Sequence, residues 1–269
     1  MKQSLAERAA NVLTEIRNKK PLLHHLTNFV VMNDTANLTL HIGGLPVMAH
    51  AKEEIEEMTA IASALVLNPG TLSEEWVESM NIAGKKANSL KIPIVLDPVG
   101  AGATTYRTKT NLDFLNKLHI SVLRGNSGEI GALSGAGGKV RGVESVEGIK
   151  HPETVARAMA KAYNTVVVIT GKRDIIASAN NVYYVDNGHE MMATITGTGC
   201  MSTTMVGAFI GVEKDYAFAA AAALATFGLA GEIAAKQAKG PASFKVALLD
   251  AVYNMTPAQL KKGAQITQA

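Results

Sequence analysis

A chain of 269 residues, 47% hydrophobic and 18% charged, has enough apolar material to bury a large core and excludes an intrinsically disordered protein. Its formal net charge of +3, with no block of lysine or arginine, excludes the electrostatic footprint of a nucleic-acid or membrane-surface binder. The lone cysteine, Cys200, rules out an intramolecular disulfide.

The first twenty residues interleave Lys2, Glu7, Arg8 and Glu15 with small apolar residues and lack the unbroken apolar core of a signal peptide, so a cytoplasmic location is expected. His24 and His25 fall in an expected strand, where adjacent side chains point to opposite faces, which argues against chelation by both. Residues 64–68, 92–97, 120–124 and 165–170 are nearly continuous apolar runs, the pattern of strands covered on both faces. Helical spacing occupies residues 72–89, 105–118, 127–133 and 152–163. This alternation predicts crossover units around a mostly parallel sheet, an α/β fold. The glycine-rich stretch 134–142 reads as a surface loop, and residues 174–177 and 181–185 as a hairpin. From Cys200 to about Met255 the pattern is helical, broken near residues 211–215 and at Gly240-Pro241. Within it, the alanine-rich run 217–230 is shorter than a membrane span and reads as a buried helix. No linker or repeat divides the chain, so residues 1–269 are expected to form a single domain.

Open α/β sheets bind ligands beyond the carboxyl ends of their strands. Those ends read Asn68-Pro69-Gly70, Asp97-Pro98-Val99-Gly100, Arg124-Gly125-Asn126 and Thr170-Gly171, each a polar residue with glycine close behind. Any one of them is an ordinary turn. Four in one sheet point to a shared site. The segment Thr196-Gly197-Thr198-Gly199-Cys200 precedes a long apolar helix beginning near Met201. Glycines there let backbone N–H groups converge, and the helix N-terminus adds positive potential, which suits a transferring phosphoryl group. The chain has neither a Walker lysine motif nor a strand-linked glycine-x-glycine-x-x-glycine turn, which disfavours the common nucleotide-binding classes.

In order and spacing these segments, together with residues 21–28 and 30–37 and Gly43-Gly44-Leu45-Pro46-Val47-Met48-Ala49, resemble the hydroxyethylthiazole kinases of the ribokinase-like superfamily. The likeness runs from about Pro21 to about Lys239. It implies a ribokinase-like three-layer αβα sandwich, with ATP and Mg²⁺ as cofactors and hydroxyethylthiazole as the phosphoryl acceptor. It also implies a homotrimer with active sites at subunit interfaces. By the same resemblance, ATP lies across Arg124, Asn126, Thr170 and Gly171, and Asp97 and Glu129 supply hard oxygen ligands for the metal. The thiazole pocket maps onto Asn28, Val30, Met48, Gly70 and Gly197, with Val30 and Met48 as apolar walls. Thr198, Gly199 and Cys200 fall at the catalytic turn.

Most ribokinase-like enzymes place an aspartate where this chain has Cys200, which counts against a hydroxymethylpyrimidine kinase or an ADP-dependent NAD(P)H-hydrate dehydratase. A thiol at a helix N-terminus has two readings here: a modest base of lowered pKa, or a small residue that tolerates the acceptor hydroxyl. A thiol hydrolase is a rival of a different class and requires a histidine partner, for which His189 is the one nearby in sequence. A non-catalytic thiazole sensor is a third alternative, one that binds ligand and releases no ADP.

Overall fold

The computed structural model describes residues 3–135, 139–141, 144–147 and 149–269. Helix α1 (Leu5–Lys19) starts at Ser4, whose side chain accepts from Glu7 N, and stops at Lys20. Strand β1 (Leu22–Leu26), helix α2 (Met32–Ile42), strand β2 (Leu45–Val47), helix α3 (Ile55–Ala60) and strand β3 (Ala64–Leu67) follow. The chain continues through α4 (Glu74–Ser89), β4 (Ile94–Leu96), α5 (Thr105–Lys117), β5 (Val122–Asn126) and α6 (Ser127–Ser134). Next come β6 (Lys139–Arg141), β7 (Glu144–Glu147), α7 (Pro152–Tyr163), β8 (Val166–Thr170), β9 (Asp174–Ala177) and β10 (Val182–Val185). After a short 3-10 turn at Glu190–Thr194 the chain forms α8 (Thr198–Ile210), α9 (Tyr216–Ala235), α10 (Pro241–Asn254) and α11 (Pro257–Gly263), and ends in β11 (Ile266–Gln268).

Among the described residues, nine strands form one mixed sheet in the order β11-β10-β9-β8-β5-β4-β3-β1-β2. From β2 to β8 every neighbour is parallel. Strands β9, β10 and β11 extend it antiparallel. Alternate residues of one strand enter opposite cores, as the two-residue period of a strand requires. Val95, Val166 and Val168 join a core with α1, α2, α8, α9 and α10, while Ile94, Leu96, Val167 and Ile169 join one with α4, α5, α6 and α7. The result is three layers, helix–sheet–helix.

Helix α9 is buried on all sides along most of its length, as expected for the alanine-rich run. It is long and apolar enough to cross a membrane, yet 89% of its apolar window is buried inside the protein, which assigns it to the core. A Cβ on its Gly228 would lie 2.4 Å from the Asn187 carbonyl oxygen, so backbone meets backbone there.

The structure departs from the sequence reading in a few places. Strand β5 runs to Asn126, because its ladder with β8 continues through Asn126↔Thr170, so Arg124 lies inside a strand and not at its end. Strand β4 is shorter than residues 92–97. Helix α4 begins at Glu74 because Ser73 caps it, accepting from Trp76 N. Lys139–Arg141, expected in a loop, pairs antiparallel with Glu144–Glu147; Gly137, Gly138 and Gly142 of that stretch lie outside the described residues. Helices α1, α2, α3 and α11 and the edge strands β2 and β11 add to the elements read from periodicity. His24 and His25 do face opposite ways: His24 bonds Thr59 of α3 and the Ala49 carbonyl, and His25 bonds Thr39 of α2.

Candidate functional site

The carboxyl ends of β1, β3, β4, β5 and β8 converge on the N-terminus of α8, and a continuous set of polar contacts joins them. After β1, the Asn28 carboxamide accepts from Val30 N (3.0 Å) and donates to Asn68 Oδ1 (2.8 Å). The same Nδ2 approaches Cys200 Sγ at 3.6 Å. Asn68, after β3, also accepts from Gly70 N (3.2 Å) and donates to Asp97 Oδ2 (3.1 Å). Asp97, after β4, receives a further bond from Thr203 Oγ1 of α8 at 2.7 Å. Its Oδ2 lies 3.7 Å from Arg124 Nη1, and Arg124 Nη2 donates to Thr170 Oγ1 at 2.8 Å.

Glu129 belongs to the capping box of α6: its carboxylate accepts from Asn126 N and Gly100 N, both at 2.9 Å, and Asn126 Oδ1 accepts from Glu129 N. Gly171 N donates to buried Asp174 (2.9 Å), which fixes the turn after β8. Arg107 of α5 ties two of the loops together, donating to the carbonyls of Gly70 (2.8 Å) and Val99 (3.1 Å).

The glycines of the turn before α8 have defined tasks. Gly197 is the N-cap at φ +92°, in the left-handed region, and offers no side-chain cap to the first-turn amides. A Cβ at Gly199 would fall 3.0 Å from Arg124 Nη1, so glycine there lets the guanidinium lie against the first turn of the helix.

Burial dominates the electrostatics. It raises the Asp97 carboxyl, an effect opposed by Arg124 and by the Thr203 hydroxyl. It also raises Glu129 to about 7, with the Asp97 charge adding to the rise. Asp174 is lifted to about 6, mainly by burial. The Cys200 thiol is pushed up to about 12 by burial and then by Asp97. The helix N-terminus therefore does not produce a thiolate at neutral pH, and the lowered pKa considered from sequence is not found. His189, the hydrolase partner considered, is exposed at the start of the 3-10 turn, where its Nδ1 accepts from Met191 N.

Two carboxylates buried within each other's field fit a divalent cation that takes its other ligands from water and phosphate. Among the described residues no group of three or more His, Cys, Asp or Glu side chains is placed to hold a metal by protein ligands alone.

The contacts thus bring together Asn28, Gly70, Asp97, Arg124, Asn126, Glu129, Thr170, Gly199 and Cys200. Gly197 and Thr198 stand at the same helix end, and a Cβ at Gly197 would meet Val31 Cγ1 at 2.9 Å. Val30 is 64% exposed, and Met48, half-buried one residue beyond β2, lies outside the set of contacts described above. Gly171 is exposed beside Thr170. Asn68, Thr203, Asp174 and Arg107 are additions. Asn68 heads one of the polar strand ends and was visible in that signal, whereas Thr203 lies inside an apolar helix and gives none.

A sequence model of the hydroxyethylthiazole kinase family matches residues 13–258. The hydroxyethylthiazole kinase of Roseiflexus sp. (strain RS-1) is 62% identical over 262 residues, which cover 97% of each chain. The structure of a hydroxyethylthiazole kinase protein from Pyrococcus horikoshii OT3 is similar with a TM-score of 0.90 at 42% identity, over 98% of this chain and 99% of that one. A ribokinase-like superfamily protein from Enterococcus faecalis V583, 12% identical, aligns with a TM-score of 0.68 over 92% of this chain and 95% of that one, a likeness of fold. The ribokinase-like αβα sandwich expected from the sequence is the fold observed.

Proposed function

The chain belongs to the hydroxyethylthiazole kinase family, and from that premise we propose how its own residues carry the reaction. The activity is ATP-dependent phosphorylation of the hydroxyl of 4-methyl-5-(2-hydroxyethyl)thiazole, which yields the thiazole phosphate used in thiamine synthesis and salvage. The acceptor oxygen forms a bond to the terminal phosphorus, the bond to the bridging oxygen breaks, ADP leaves, and the hydroxyl proton passes to a phosphate oxygen or to water.

One observation supports this assignment above the rest: Arg124 is held between Asp97, Thr170 and the glycine-capped start of α8. A fixed cation beside a helix N-terminus is preorganised for the charge that gathers on the moving phosphoryl group. In this reading Arg124, Asn126, Thr170 and Gly171 bind ATP, and the amides of Thr198 and Gly199 face the transferred group. Asn28, Val30, Met48, Gly70 and Gly197 form the acceptor pocket. Asp97 and Glu129 would hold Mg²⁺, which would supply positive charge to offset that of the phosphates.

Cys200 acts as a small neutral neighbour of the acceptor hydroxyl. A thiol pushed up to about 12 keeps its proton at neutral pH, and a loose phosphoryl-transfer transition state depends on positioning more than on a strong base.

Residues 1–269 are read as one cytoplasmic kinase domain that assembles as a homotrimer with its sites at subunit interfaces. Support for a subunit contact near the site comes from Phe29 and Val30, adjacent to Asn28, whose apolar side chains are each 64% exposed. The deciding experiment measures ADP released with hydroxyethylthiazole, ATP and Mg²⁺, beside a parallel reaction with hydroxymethylpyrimidine. Turnover confined to the pyrimidine, or none with either alcohol, would overturn the assignment.

A further inference from the structure

We propose that Asn68 is a positioning residue that ties the acceptor pocket to the carboxylate of Asp97. Its side chain is buried at the end of β3, with 1% of the residue exposed, and is bonded at both ends. Amide orientation in a carboxamide is fixed only where a partner has a single role, and here backbone N–H groups, which can only donate, fix it twice. Gly70 N selects the oxygen of Asn68, and Val30 N selects the oxygen of Asn28. The remaining contacts then have one direction: Asn28 Nδ2 donates to Asn68 Oδ1, and Asn68 Nδ2 donates to Asp97 Oδ2.

Both acceptor-pocket residues that Asn68 touches, Asn28 and Gly70, are therefore held in register with Asp97 through one side chain. On the far side of the carboxylate, Thr203 Oγ1 donates to the same Oδ2. Two donors on one oxygen fix the rotation of Asp97, with Arg124 Nη1 close to that oxygen as well. Asn68 thus sets the acceptor against the acidic pair, and its side chain also reaches the Cys200 thiol. This assignment rests on the kinase reading given above, and it adds a residue to which that reading gives no role.

Asn68→Asp is the discriminating variant. It preserves volume and keeps oxygen acceptors for Asn28 and Gly70, but it sets a second carboxyl against Asp97 in place of a fixed amide donor, so the two must share a proton or repel. The expected result is a kcat at least ~10-fold lower, with acceptor affinity, measured by titration calorimetry without nucleotide, within about twofold of the parent. A parent-like kcat would overturn the assignment, as would a joint loss of kcat, acceptor affinity and thermal midpoint, the mark of a merely structural residue. Should Asn68→Asp not fold, Thr203→Val removes the other donor to the same oxygen. It is expected to give the same split, and a parent-like kcat there also overturns the assignment. Parent enzyme assayed alongside separates this failure from failure of the kinase reading, since only the latter leaves the parent inactive on hydroxyethylthiazole.

Discussion

Arg124 Nη1 lies 3.7 Å from Asp97 Oδ2, and the Cβ that Gly199 lacks would fall 3.0 Å from that same nitrogen. The guanidinium is thus confined between a carboxylate and a helix end, in a slot that a methyl group would narrow. Arg124→Ala is expected to raise the KM for ATP by ~10- to 100-fold while acceptor binding stays within a few-fold, because charge-assisted bonds to phosphate are lost and the Asn28 side of the site is untouched. Steady-state kinetics with each substrate varied in turn, and calorimetry with the thiazole alone, measure the two effects.

Gly197 combines a φ of +92° with a Cβ position 2.9 Å from Val31 Cγ1. Gly197→Ala therefore meets backbone strain and a steric clash together. The expected cost is about 1–3 kcal/mol of unfolding free energy, measured by urea titration, together with a sharp fall in turnover as the turn shifts.

For Cys200 the raised thiol pKa gives a pH prediction. Its burial holds the proton up to about 12, so alkylation by iodoacetamide at pH 8 should be slow and the kcat profile from pH 6 to 9 should show no thiol limb. Cys200→Ala is expected to keep kcat within ~10-fold of the parent, since a general base typically contributes more than that. Cys200→Asp, which restores the aspartate common in ribokinase-like enzymes, is expected to remain active. A folded but inactive alanine variant would restore the thiol to a chemical role.

His25 controls part of the acid stability. Complete burial lowers its pKa from the usual 6.5 to about 3, with the neighbouring His24 adding to the shift. The unfolded chain therefore binds a proton more readily, so stability is fully present above pH 6.5 and is lost as pH falls toward 3. The raised carboxyls of Glu129 and Asp174 act with the opposite sign over an overlapping range, so the variant must be compared with the parent. His25→Gln should lose less unfolding free energy than the parent between pH 7.5 and 4.5, by on the order of a few kcal/mol in urea titrations at the two pH values. Equal losses in the two proteins would remove His25 from this account.

Much of the site was legible because a doubly covered parallel strand is apolar until it ends, so that Asn68, Asp97 and Thr170 stand out as the first polar residues after such runs. Arg124 was misplaced by the same rule: it stands inside β5, where a buried charge is tolerated because Asp97 and Thr170 receive it, and only the three-dimensional partners reveal this. Thr203 is silent in sequence because threonine within a buried helix normally bonds its own backbone, as Thr204 and Thr226 do here. The state of Cys200 was also illegible. A helix N-terminus lowers a thiol and burial raises it, and sequence gives the first influence without the magnitude of the second. The edge strand β11 escaped because its pairing with β10 joins residues far apart in the chain.

Helix α9 is enclosed along most of its length, and a Cβ on its Gly228 would meet the Asn187 carbonyl. A helix enclosed in this way is constrained by bulk more than by polarity: at its buried alanines an additional methylene costs stability by overpacking. Divergence among relatives should therefore slow along this stretch although it carries no reacting group, and the enzyme's tolerance of drift is set as much by the thickness of this central rod as by the chemistry at the sheet's mouth.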